Sequence, residues 1–184
     1  MLARTGLRFA PGVLLALASI LASCTPSGGK SAGGESAPTP DALLILENLR
    51  AELIPAEGLL AAYGPPFSPE GYEILHQWNA DIRPEPWWAA DYERLDIRLP
   101  CCGAIHPYRD ETRNCGCGHH QALYGLGKGL LREDVHPSRI QDQIGRWRAF
   151  FFPRETLQTE MERRALDDPA IRQALDELRQ QGVC

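Results

Sequence analysis

Proline falls in this chain where a helix would begin, and it recurs too often for one long helix or a continuous sheet. Ser68-Pro69-Glu70, His136-Pro137-Ser138, Phe152-Pro153 and Asp168-Pro169 share this arrangement. In the first turn the missing proline N–H costs nothing, and the fixed φ is already helical. Ser68 and Asp168 add side-chain oxygens that can cap the exposed N–H groups. The pattern predicts helices from Pro69 to about Asn79, from Arg139 to Phe152, from Pro153 onward, and from Pro169 to near Gly182. Asp41 to Tyr63 also reads as helix, with Asp41 as N-cap, Pro55 splitting it and Gly64-Pro65-Pro66 ending it.

Between these stretches the chain changes character. Arg83-Pro84-Glu85-Pro86 breaks the helical pattern, and Trp87 and Trp88 then cover the core from an irregular segment. Leu95-Asp96-Ile97-Arg98-Leu99 alternates strictly, which predicts a short strand leading to Pro100-Cys101. Residues 103 to 114 read as a polar loop, and a helix follows from His119 to about Arg132. The expected fold is mainly α: a small helical domain over residues 41–184, with an irregular Cys/His-rich loop and at most a short strand.

The front of the chain has another purpose. Arg4 and Arg8 form a basic segment, and Pro11 to Leu21 an apolar run shorter than the roughly 20 residues a membrane-spanning helix needs. It ends in Leu21-Ala22-Ser23-Cys24, which resembles the lipobox of bacterial lipoproteins. The resemblance implies a signal peptide over residues 1–23 and lipid on the Cys24 thiol. Residues 25–40 are small and polar, so residues 24–40 read as a lipidated cysteine and flexible tether. Two or more acyl chains make such an anchor effectively permanent. The expected location is extracytoplasmic, on a membrane surface. Thr25, rather than Asp, resembles the signal for the outer membrane in cells that have one.

Removing residues 1–23 takes away two arginines and no acids, leaving 17 basic against 24 acidic side chains and a charge of −7. That excess argues against nucleic acid as a partner.

Chemistry concentrates in Cys101-Cys102-Gly103-Ala104-Ile105-His106 and, after eight residues, Cys115-Gly116-Cys117-Gly118-His119-His120. Four thiols and three imidazoles in twenty residues suit Zn²⁺ or Cu(I). A plausible set is Cys115, Cys117, one of Cys101 or Cys102, and one of His106, His119 and His120. The spacing is not that of a zinc finger, and no C-x-x-C-H supports a c-type haem. Nor are Arg4 and Arg8 adjacent, as the twin-arginine export used for iron–sulfur proteins requires.

Pro100-Cys101-Cys102-Gly103 and Cys115-Gly116-Cys117-Gly118 together resemble the "PCYCGC" motif of bacterial lipoproteins, divided here by an insertion and without its tyrosine. The resemblance implies a cell-surface, metal-binding lipoprotein, for which a metal-handling protein is the natural partner. It implies no defined activity. Two other readings stand beside it. Cross-paired disulfides between 101/102 and 115/117 would staple an interaction module, and C-x-C near a helix start would suit thiol–disulfide exchange.

Other features point to packing. His119 shares a helical face with Leu123, Leu126 and Leu130, as a core histidine would, while His120 shares one with Tyr124 and Gly127. Gly125-Leu126-Gly127-Lys128-Gly129 lacks phosphate-loop spacing; Gly125 and Gly129, one turn apart, predict close approach of another helix. His76 and His136 read as ordinary, and Cys184 as a thiol or an intermolecular link. No Ser/His/Asp order or paired carboxylates form a catalytic set.

Overall fold

A computed structural model describes residues 37–101, 103–104 and 116–183. The expected signal peptide, Cys24, most of the tether, Cys102, His106, Cys115 and Cys184 lie outside the described residues. The fold is mainly helical: α1 (Pro40–Leu53), α2 (Pro69–Asp81), α3 (Ala89–Arg94), β1 (Arg98–Leu99), β2 (Gly103–Ala104), α4 (Gly118–Arg132), α5 (Pro137–Phe151), α6 (Pro153–Arg164) and α7 (Pro169–Gln180). Strands β1 and β2 pair antiparallel, Arg98 opposite Ala104 and Leu99 opposite Gly103. Among the described residues no helix is long and apolar enough to cross a membrane.

The proline-marked starts are as expected, with capping oxygens where the sequence places them. Ser68 Oγ accepts from Gly71 N at 3.1 Å, and Asp168 Oδ1 accepts from Ala170 N and Ile171 N. Three expectations need correction. The α1 cap is Thr39, whose hydroxyl accepts from Ala42 N, and Asp41 lies in the first turn. Pro40 takes the N-terminal position, the same signal as elsewhere. Pro55 ends the helix instead of splitting it, since Ile54 before it is extended (ψ 115°). Residues 54–68 then run as turns, with Gly58 N donating to Phe67 O and Phe67 N to Leu59 O, which seats Phe67 in the core. Finally, Trp88 covers the core from a turn as expected, but Trp87 is 57% exposed, edge-on to the Trp88 ring, and the segment that follows forms α3.

Helix α4 is the axis of the larger core. It is buried on almost every side, from His120 through Leu131, and is packed by α2, α3 and α5. Its contact with α2 is backbone to backbone. A β-carbon at Gly125 would stand 1.8 Å from the Leu75 carbonyl oxygen, and one at Gly129 would stand 2.0 Å from Cε3 of the Trp78 ring. The two glycines thus seat another helix, as their spacing predicts. Lys128, half-buried between them, donates to the Asn79 carbonyl at 2.6 Å and so caps the end of α2. Burial first, then the Arg83 charge, lowers its pKa.

A smaller core joins α1, α6 and α7 through Ala42, Leu49, Leu157, Met161, Ala174, Leu175 and Leu178. At its edge Arg164 bridges Glu52 of α1 and Glu160 of its own helix. Hydrogen bonds from Arg163, then Arg164, hold the Glu160 carboxyl down to about 2.

Two predictions follow from this packing. Gly125→Ala should lose about 1–3 kcal/mol or more, because the obstacle is backbone. Gly145→Ala, whose β-carbon meets nothing within 4 Å, should gain up to about 1 kcal/mol of helix propensity; chemical denaturation of both variants checks the pair. Glu160 has a depressed pKa, so its contribution is present above the ordinary carboxylate value of 4.5 and is lost as pH falls towards about 2. Glu160→Gln should therefore be less stable than the parent at pH 7, by about 1 kcal/mol for a partly exposed network. That gap should close in melting curves recorded down to pH 2.

Candidate functional site

Two elements deliver the described cysteines. Along the approach to Cys101, Leu95, Ile97 and Leu99 are buried while Asp96 and Arg98 are exposed, the alternation read from the sequence. The side-chain amide of Gln141 on α5 stands in for a neighbouring strand. Asp96 N donates to Gln141 Oε1 at 3.0 Å, and Gln141 Nε2 donates to Asp96 O at 2.8 Å. Pro100 and the exposed Cys101 follow directly.

Cys117 comes from the other side, as the N-cap of α4 with extended backbone (φ −73°, ψ 140°). Its side chain makes no capping hydrogen bond. The sulfur instead lies 4.0 Å from Cys101 Sγ and 3.4 Å from His120 Nδ1. His120 is three residues on, hence on the same helical face. Burial, first, and the His119 charge lower its pKa, offset in part by the Ile97 backbone. The ring is neutral at pH 7, and Nδ1 can present a lone pair towards the sulfur. His120 Nε2 is sealed from water and makes no hydrogen bond of standard geometry.

These separations fit two ligands of one soft ion. With metal–sulfur bonds of about 2.3 Å, sulfurs 4.0 Å apart subtend about 120° at an ion. With a metal–nitrogen bond of about 2.0–2.1 Å, the 3.4 Å sulfur–nitrogen separation subtends about 103°. The described donors meet as two pairs sharing Cys117. Among the described residues no three His, Cys, Asp or Glu side chains form a ready-made ion site.

Of the sequence-predicted candidates, then, the structure brings Cys117 close to Cys101 and to His120, as two pairs. Cys102, His106 and Cys115 lie outside the described residues. His119 goes elsewhere, packing on Phe151 and Phe152 at ring-centroid distances of 4.8 and 4.9 Å. It lines a groove of about 430 Å³ with Glu57, Ser68, Pro69, Tyr72 and Phe150. The expected core histidine is in fact its neighbour, since His120 is fully buried and His119 only partly.

Sequence reasoning missed two residues of α2. Tyr72 and His76 pack edge to face with ring centroids 4.5 Å apart and press against the backbone that follows Cys117. A β-carbon at Gly118 would lie 2.1 Å from the Tyr72 hydroxyl oxygen and 3.5 Å from His76 Nε2. That nitrogen is buried without a hydrogen-bond partner, and the ring lies close enough to His119 to help lower its pKa, after burial. The available signal was helical spacing: Tyr72, Leu75, His76 and Asn79 form one face, the face α4's glycines receive.

Comparison with protein-family models, with curated proteins and with solved structures finds no match. The PCYCGC resemblance is carried by its motif residues alone.

Gly118→Ala should cost about 1–3 kcal/mol by pushing the Tyr72 ring out of place. Tyr72→Phe removes the obstructing oxygen, so the double variant should recover at least about 0.5 kcal/mol relative to additivity, measured as a double-mutant cycle in denaturant.

Proposed function

We propose that this protein is an extracytoplasmic lipoprotein, lipid-anchored through Cys24, that binds one thiophilic ion, Cu(I) or Zn²⁺, for storage, delivery or structure. Cys101, Cys117 and His120 are the inner ligands, with Cys102, Cys115 and His106 available as further donors. The observation that carries this reading is the placement of the Cys117 sulfur, 4.0 Å from a second sulfur and 3.4 Å from an imidazole nitrogen. Two thiolates and a neutral imidazole form a soft donor set, which favours Cu(I) or Zn²⁺ over Ca²⁺ or Mg²⁺. A bound ion would supply the electrostatic link between the Cys101 turn and the start of α4. The lipobox and tether support a position outside the cytoplasmic membrane, where a metal-handling protein is the partner that donor set suits.

Metal content per chain tests the reading, on full-length protein purified in detergent, without chelator and without oxygen. About one copper or zinc per chain is expected. Cys101→Ser, at an exposed position, should lower the affinity by more than the roughly 10–100-fold that loss of a supporting residue costs, with thermal melting of the variant to check that it stays folded. Wild-type protein that takes up neither Zn²⁺ nor Cu(I) after reduction and reconstitution overturns it. The cysteines would then be staples of an interaction module or redox groups.

A further inference from the structure

The two sulfurs that fit one ion are also placed to bond to each other. They face one another at 4.0 Å from separate elements, and a disulfide requires about 2.05 Å. The two states exclude each other, because one disulfide consumes both thiolates. Access to them is unequal: Cys101 is exposed at the end of its turn, and Cys117 lies half-buried behind it against His120.

We infer that Cys101 and Cys117 form an exchangeable dithiol, oxidised by the disulfide of a dithiol partner or a low-molecular-weight thiol, and that this exchange releases the bound ion. The release step rests on the metal reading; the exchange step does not. The Cys101 thiolate attacks one sulfur of the incoming disulfide, whose S–S bond breaks as one partner thiolate departs. Cys117 sulfur then attacks Cys101 in the mixed disulfide, and the second partner thiolate departs. Two thiols of this chain are oxidised and one external disulfide is reduced to two thiols. The two protons given up by the cysteines end on the departing thiolates, or, from the loaded site, two solvent protons do so as the ion leaves. The exposed cysteine is the entry point and the half-buried one resolves, so each step uses the sulfur that can be reached. In a compartment where disulfides persist, the supply of partner disulfides sets how long the site keeps its ion.

The test uses reduced, zinc-loaded full-length protein in detergent micelles, treated with oxidised glutathione. Zinc release is followed with a chromophoric indicator, and the bond is located by peptide fragmentation. One zinc should leave per Cys101–Cys117 disulfide formed, with the chain about 2 Da lighter than its reduced form. Cys117→Ser should stop at one glutathione on Cys101, whereas Cys101→Ser should not accumulate the adduct on Cys117. Cys102→Ser/Cys115→Ser/Cys184→Ser, which leaves the pair and Cys24, should still close the bond. Oxidation that joins other cysteines, or a 101–117 bond formed with zinc retained, overturns the inference. Wild type that never takes up zinc yet closes the 101–117 bond sinks the metal reading and keeps the exchange. Zinc binding without that bond does the reverse.

Discussion

Helix α2 approaches α4 so closely that the chain has no room for a side chain at Gly125, whose α-carbon lies against the Leu75 carbonyl and the Asn79 amide. The approach costs helix propensity at Gly125 and Gly129, roughly 1 kcal/mol each in a helix interior. Burial of the surrounding apolar side chains offsets it: Leu75 of α2 shares one buried core with Leu126 and Leu130 of α4, and Trp78 packs against that core. The register of this contact places everything at the N-terminal end of α4. Lys128 and the Asn79–Gln121 amide pair hold it lengthwise, so Tyr72 and His76 arrive beside Gly118 and the Cys117 cap is held in place.

That dependence explains which parts of the structure were legible in the sequence. Helix starts were, because proline, with Ser68 or Asp168 as a local cap, acts within one turn and needs no knowledge of the rest of the chain. The glycine pair at 125 and 129 announced a close neighbour for the same local reason. What it could not announce was which helix would come, since the partner is set by burial across the whole core. Thr39 was overlooked because the small, polar stretch before it reads as tether, although Thr39-Pro40 carries the signal recognised at Asp168-Pro169. Helix α3 is a six-residue element between proline-rich and extended segments, too short for periodicity to reveal.

The two adjacent histidines show where pattern reasoning fails for a physical reason. Hydrophobic periodicity identifies a buried face only when the opposite face meets water. Helix α4 is enclosed by three other helices, so the His119 row and the His120 row both run alongside apolar residues. The sequence pattern favoured His119 as the core residue. The fold seals His120 instead, because α4 begins at Cys117 and its first turn has one side towards the Ile97–Leu99 segment and another towards Phe151 and Phe152. His76 was undervalued for a related reason, since its importance comes from Gly118, forty-two residues away, and not from its own neighbours.

The same geometry sets the chemistry at the sulfurs. A thiol at a helix N-terminus could serve merely as a cap, but Cys117 makes no capping bond and turns its sulfur towards Cys101 and His120. Desolvation keeps the imidazole neutral, so it offers a lone pair and no repelling charge to a cation. The fold thus sets three soft donor atoms near the start of α4 as two pairs that share Cys117: a buried imidazole nitrogen and an exposed sulfur, each beside one half-buried sulfur. The two sulfurs come from separate elements, Cys101 from the turn after β1 and Cys117 from the cap of α4, so any bond between them would tie that turn to the helical core.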